Sequence, residues 1–306
     1  MIKQMLLEKN NISALKKGDA VAIISTARKV SPSELDFAIT KIKSWGLNVC
    51  FGNNLFKNHH QFSGTVQERA EDLQWALDDN NIKAVFFARG GYGSVHVVDY
   101  VDWQIFKTNP KWLIGFSDIT VFHSHVHQCF NTTTLHAAMP ITYPQNTDEA
   151  IKNIRDILFG ENVSYKFEGH SFNKNGTVNS VVVGGNLSIL YSLLGSKSQL
   201  NTDDKILFLE DLDEYLYHID RMMRALKRSG MLQNLSGLMI GGMNGMNDNT
   251  IPFGKTAEEI IRDVVSEYTY PVAFNIPAGH VNENLPLLFG EKVNFSVATN
   301  QVLIRL

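Results

Sequence analysis

Short runs of consecutive apolar residues alternate along this chain with stretches whose apolar positions recur every three or four residues. The run Ala20-Val21-Ala22-Ile23-Ile24 reads as a buried strand. Ser31-Pro32-Ser33-Glu34 then opens a helix, with Ser31 as N-cap, Pro32 in the first turn and Glu34 closing a capping box. That helix ends near Gly46, and 47–51 is a second strand. A second amphipathic helix spans about 65–77, with Ala70, Leu73 and Leu77 on one side. Strands follow at 82–88 and 112–116, and a helix at about 119–129. Strand–helix alternation of this kind predicts a parallel, doubly wound sheet with helices on both faces. Ligand sites in such sheets lie at the carboxyl ends of the strands.

The second half repeats the theme less regularly. Strands are predicted near 178–183, 205–209, 237–241 and 271–276, and helices near 215–232 and 257–268. From Leu285 onward the pattern alternates through Val293, Phe295, Val297, Val302 and Ile304, as in a small antiparallel set. Between the halves, a helix at about 149–159 leads into a polar, glycine-containing stretch. The length of 306 residues exceeds a typical single core. The expected division is therefore an N-terminal domain over 1–150, a linker region over 151–176 and a C-terminal domain over 177–306.

Composition narrows the class. The 44% hydrophobic and 19% charged content is that of a globular protein, and a net charge of −3 provides no basic footprint for nucleic acid or anionic membrane. Cys50 and Cys129 are the only cysteines, too few for a disulfide framework. Residues 1–10 lack an apolar core of signal-peptide length, and no run approaches a membrane span. A cytoplasmic protein is expected.

Candidate chemistry sits at strand ends. In Ile114-Gly115-Phe116-Ser117-Asp118-Ile119-Thr120, a serine falls on a sharp strand-to-helix turn. There its hydroxyl is free to attack, beside the unsatisfied N–H groups of a helix start. The plainer alternative is that Ser117 or Asp118 merely caps the helix. A serine nucleophile needs a base, and the base needs an acid to orient it. The strand at 205–209 runs into Glu210 and Asp211, and the strand at 271–276 runs into a turn carrying His280. Each residue alone could be an ordinary turn or helix-start side chain. The turn Arg89-Gly90-Gly91-Tyr92-Gly93 fits neither a Walker loop nor a dinucleotide fingerprint. Its better use is an oxyanion hole, with one N–H from Gly91 and one from Asp118. Arg89 is either a cation for a substrate carboxylate or part of a structural ion pair beneath the glycine turn. His123, His125 and His127 scatter over more than one helix face, so no metal site is expected. Cys129, Met222, Met223 and Met231 read as packing residues.

These segments together resemble the LD-carboxypeptidases, a family of murein tetrapeptide carboxypeptidases and microcin-immunity peptidases. The likeness rests on Arg89–Gly93, Ile114–Thr120, Gly184-Gly185-Asn186-Leu187, Leu209–Glu214 with Ile219-Asp220-Arg221-Met222, and Pro277-Ala278-Gly279-His280. One departure is Phe116, where many members have tyrosine. The resemblance implies an N-terminal flavodoxin-like sandwich and a smaller C-terminal α/β domain with additional β elements. It implies a serine peptidase with Ser117 as nucleophile, His280 as base and Glu210 as its partner, with oxyanion donors from Gly91 and Asp118. Arg89, Tyr92 and Asn186 are the candidates for substrate contact. No metal or cofactor is implied, and the expected assembly is a homodimer. The implied reaction removes terminal D-alanine from a murein tetrapeptide; the alternative is cleavage of a peptidyl or aminoacyl nucleotide. Two other classes compete. An α/β-hydrolase esterase would need glycine where Ile119 stands. A hinged, non-enzymatic small-molecule binding protein is the third.

Overall fold

The computed structural model describes residues 12–306. The segment 1–10, whose lack of a signal-type apolar core was noted above, lies outside the described residues. The described residues form two sheets. The first contains β1 (Ala20–Ile24), β2 (Asn48–Phe51), β3 (Ile82–Phe87), β4 (Trp112–Gly115) and β5 (Thr134–His136), all parallel, in the order β5-β4-β3-β1-β2. That is the flavodoxin-like order, and its switch point lies between β1 and β3. Along β1, Val21 and Ile23 join one apolar cluster with Leu35, Ala38 and Ile42 of helix α1 (Pro32–Ser44). Ala22 and Ile24 join another with Ala70, Leu73 and Leu77 of α2 (Val66–Asp78). A strand covered on both faces has no polar side to show, which is why it reads as one apolar run. The capping box of α1 forms as expected: the Glu34 carboxylate accepts from the Ser31 N–H at 2.7 Å.

After β4 come α5 (Thr120–Phe130) and α6 (Asp148–Leu158), with the short helices α3 (Ser94–Val97) and α4 (Gln104–Thr108) before it. The second sheet uses β6 (Ser164–Glu168), β7 (Gly176–Asn186), β8 (Ile206–Leu212), β9 (Gly237–Asn244) and β10 (Val272–Ala273). β11 (Leu287–Phe289) crosses back to the first sheet and pairs antiparallel with β5. β12 (Lys292–Ala298) and β13 (Gln301–Arg305) complete the order β10-β9-β8-β7-β12-β13-β6. β7 serves two masters. Residues 176–181 pair antiparallel with β12 and are only partly covered, whereas 182–186 pair parallel with β8 and are buried throughout. Helices α7 (Leu187–Ser192), α8 (Leu216–Arg228) and α9 (Ala257–Val264) accompany the parallel half. Phe208 and Met239 belong to the same core cluster as Ile23 and Phe86, so one apolar layer is common to both sheets.

Several boundaries differ from the sequence reading. The strand expected over 271–276 stops at Ala273, because the Phe274 N–H donates to Asn173 Oδ1 at 2.8 Å and Asn275 turns to φ +57°. Helix α8 stops at Arg228, two residues before Gly230 at φ +86°. Cys129 is only partly buried, with its thiol near the Lys197 carbonyl. Met222, Met223 and Met231 are buried. The three histidines of α5 are also buried and have separate surroundings: His123 bonds Thr134 and the Gly115 carbonyl, and His125 bonds Ser198. Among the described residues, no helix is long and apolar enough to cross a membrane.

Candidate active site

β4 delivers Ser117 to the carboxyl edge of the first sheet. Phe116 is still extended, but Ser117 has φ +61°, and residues 117–119 form a 3-10 turn that continues into α5. A left-handed conformation at a residue with a Cβ costs about 1–3 kcal/mol and is held only by its surroundings. Part of that hold comes from Asp118. Its buried carboxylate accepts from the N–H of Ser94, the first residue of α3, at 2.8 Å. This ties the elbow to the glycine turn that precedes α3. Burial pushes the Asp118 carboxyl pKa upward, and the hydrogen bonds from Ser94 and Gly93 oppose the shift. The turn itself approaches closely: a Cβ on Gly90 would lie 3.4 Å from Ser117 Cβ and 3.6 Å from the Asp118 nitrogen.

Glu210 and Asp211 lie inside β8, which runs on to Leu212 instead of ending at Leu209. Side chains alternate along a strand, and the pairing with β9 shifts register between Leu209 and Asp211. The two carboxylates consequently meet different partners. Glu210 is fully buried, and its Oε2 lies 2.6 Å from His280 Nδ1 and accepts the His280 backbone N–H at 3.2 Å. Gly279 makes this approach possible, since a Cβ there would fall 2.6 Å from Glu210 Oε2. Asp211 instead accepts from Asn186 Nδ2, the Ser188 N–H and the Leu212 N–H, each at 2.9 Å. Burial, reinforced by the Glu210 charge, pushes its pKa up to about 7. For His280, burial acts to lower the pKa. The charge of Glu210 and its hydrogen bond outweigh that and hold it above the ordinary histidine value.

One pocket of about 580 Å³ gathers these groups. It is lined from the carboxyl ends of strands in both sheets: Ser117 and Asp118 after β4, Gly90 and Gly91 after β3, Asn186 at the end of β7, Asp211 in β8, and His280 beyond β10. With Nδ1 held by Glu210, the other ring nitrogen of His280 is left for the pocket. Phe116 packs its ring 4.9 Å from the His280 ring, so this position braces the histidine without donating to it. Arg89 also lines the pocket, but its guanidinium donates to the Lys29 carbonyl at 3.2 Å and sits 3.9 Å from Glu34. Tyr92 does not line it; its hydroxyl is 3.1 Å from His96 Nε2. Sequence reasoning overlooked Arg28, Thr142, Gln145 and Ser188, all pocket residues. The strand-end rule could have found Arg28, which follows β1 at the switch point.

A strained serine at an elbow, a carboxylate-held histidine and a glycine turn in one crevice define a serine hydrolase built on two α/β sheets. Comparison with known proteins narrows this. The family model for the LD-carboxypeptidase N-terminal domain matches residues 21–137, and that for the C-terminal domain matches residues 179–295. The chain belongs to the LD-carboxypeptidase family. It is 30% identical to the probable murein peptide carboxypeptidase of Bacillus subtilis, covering 95% of this chain and 93% of that one. The crystal structure of muramoyltetrapeptide carboxypeptidase from Oxalobacter formigenes has the same fold, with TM-score 0.85 and 24% identity over 94% of this chain and 98% of that one. The microcin C7 self-immunity protein MccF, in complex with aspartyl sulfamoyl adenosine, matches with TM-score 0.85 and 19% identity over 96% and 98% of the two chains.

Proposed function

We propose that this LD-carboxypeptidase removes the terminal D-alanine from murein tetrapeptide, with Ser117, His280 and Glu210 as its catalytic set. The observation that carries the reading is the 2.6 Å contact between Glu210 and His280 in the pocket that Ser117 lines. His280 Nε2 takes the hydroxyl proton as Ser117 Oγ attacks the carbonyl carbon of the scissile bond. Glu210 fixes the tautomer with Nδ1 protonated and stabilises the imidazolium that forms. The backbone N–H groups of Gly91 and Asp118 donate to the developing oxyanion. The imidazolium then protonates the departing D-alanine nitrogen, leaving an acyl-serine. Water, deprotonated by the same histidine, releases the shortened peptide. Asn186 lines the pocket wall beside the substrate, where its Nδ2 donates to Asp211. Tyr92, turned to His96, reaches a substrate only beyond the pocket.

The names of the relatives support the murein substrate over an aminoacyl nucleotide. The reading includes two-copy assembly, a cytoplasmic location and a role in recycling wall peptides. It also includes the division at 151–176 between a nucleophile domain and a domain bearing Glu210 and His280. The test is mass spectrometry of D-alanine release from the tetrapeptide and from its C-terminal amide. Faster cleavage of the free acid is expected. Equal rates would mean that the enzyme is not a carboxypeptidase.

A further inference from the structure

A carboxypeptidase chooses a chain end by its charge. The terminal carboxylate lies two bonds beyond the scissile nitrogen, so the group that binds it, a cation or a cluster of N–H donors, lines the pocket that contains Ser117. Two arginines do so, Arg28 and Arg89. Arg89 is engaged by the Lys29 carbonyl and Glu34. The Arg28 guanidinium has no hydrogen bond or ion pair with any described residue, and the side chain is exposed. The other lining groups that can carry charge are the base His280 and the acids Asp118, Asp211 and Asp213, none of which offers a permanent cation.

Arg28 is also placed by the fold. It follows β1 at the switch point of the first sheet, and its backbone N–H reaches the Gly90 carbonyl at 3.4 Å. Its side chain crosses the glycine turn: a Cβ on Gly91 would fall 2.6 Å from Arg28 Cδ and 2.8 Å from Nε. Gly91, at φ +106°, therefore leaves the space the arginine stem occupies. A guanidinium held beside the turn presents a planar fork that matches a carboxylate with two parallel hydrogen bonds.

We propose that Arg28 binds the C-terminal carboxylate of the residue that leaves, and so sets the exopeptidase specificity of the site. This rests on the carboxypeptidase reading above. The experiment compares kcat/KM for the free-acid tetrapeptide and its C-terminal amide in wild type, Arg28→Gln, Arg28→Lys and Arg89→Gln. Wild type should favour the acid. Arg28→Gln should lose roughly 10- to 100-fold on the acid and little on the amide, the scale of a hydrogen-bonded charge. Arg28→Lys should recover part of the preference, and Arg89→Gln should keep it. Calorimetry in a Ser117→Ala background, with the same two peptides, gives binding without turnover. There Arg28→Gln should weaken the acid alone. A wild type that favours the acid, with an Arg28→Gln variant that favours it equally, would overturn the assignment and leave the carboxypeptidase standing. A wild type without the preference would overturn both.

Discussion

Replacing Glu210 by glutamine tests the core of the proposed machinery with almost no change in shape. The carboxylate is fully buried, and only Oε2 has hydrogen-bond partners among the described residues; Oε1 has none. Glutamine can present its amide in two ways. With its oxygen toward His280 Nδ1, it keeps a neutral hydrogen bond but supplies no charge to the imidazolium and buries an unpartnered NH2. With its NH2 toward Nδ1, it selects the wrong tautomer, and Nε2 carries the proton it should accept. Taking charge centres about 4 Å apart at an effective dielectric constant of about 20, the lost attraction is about 4 kcal/mol. At about 1.4 kcal/mol per decade, kcat should fall roughly 10³-fold. The pH profile adds a second readout. Catalysis needs neutral His280, so kcat/KM rises with pH through the histidine ionisation. Glu210 holds that ionisation above the ordinary value against the effect of burial. Removing the charge lowers it, so the rising limb of any residual activity should move to lower pH. Asp211→Asn turns one of the two oxygens that accept from Asn186, Ser188 and Leu212 into a donor and removes no hydrogen bond of His280, so it should reduce kcat less. The assay is D-alanine release from about pH 4.5 to about pH 8.5, about two units on either side of an ordinary histidine. A Glu210→Gln enzyme that retains more than about a tenth of wild-type kcat, or an unmoved limb, refutes the reasoning. So does a larger loss in Asp211→Asn.

Three further outcomes are expected. Ser117→Ala should lower kcat by roughly four to six orders of magnitude while the circular dichroism spectrum stays native; wild-type turnover would remove Ser117 from the mechanism. Gly91→Val should cost at least about two orders of magnitude in kcat, because a donor is displaced and the new side chain strikes Arg28. An unchanged kcat would place the oxyanion donor elsewhere. The proposed steps use no Lewis acid, so dialysis against a chelator should leave D-alanine release unchanged; loss restored by zinc would reject the serine route.

The elements of the first sheet were legible in the sequence because their signals are local. A strand buried on both faces is a short apolar run, and a capped amphipathic helix carries Ser31, Pro32 and Glu34 at its start. The candidate residues Ser117, Glu210 and His280 were legible for a related reason: each falls at or near the end of an apolar strand. Less legible was β7, where one strand changes from alternating to continuous burial as its neighbours change from antiparallel to parallel.

What the sequence by itself determined is the alternation of strands and helices, the two-sided cores and the residue types available at strand ends. Tertiary structure decided which of them meet. Glu210, not its neighbour Asp211, reaches a histidine seventy positions away. That choice follows from strand alternation and a register shift against β9; the linear pattern records the alternation but neither the shift nor which face meets the histidine. The same holds for the arginines. Arg89 stands in the motif, yet its guanidinium donates to the Lys29 carbonyl and stands 3.9 Å from Glu34. Arg28 is left facing the pocket, because the glycine turn after β3 folds back over the end of β1. Periodicity reports which face of an element is buried; only packing between distant segments fixes which polar side chains share a crevice and which are already paired.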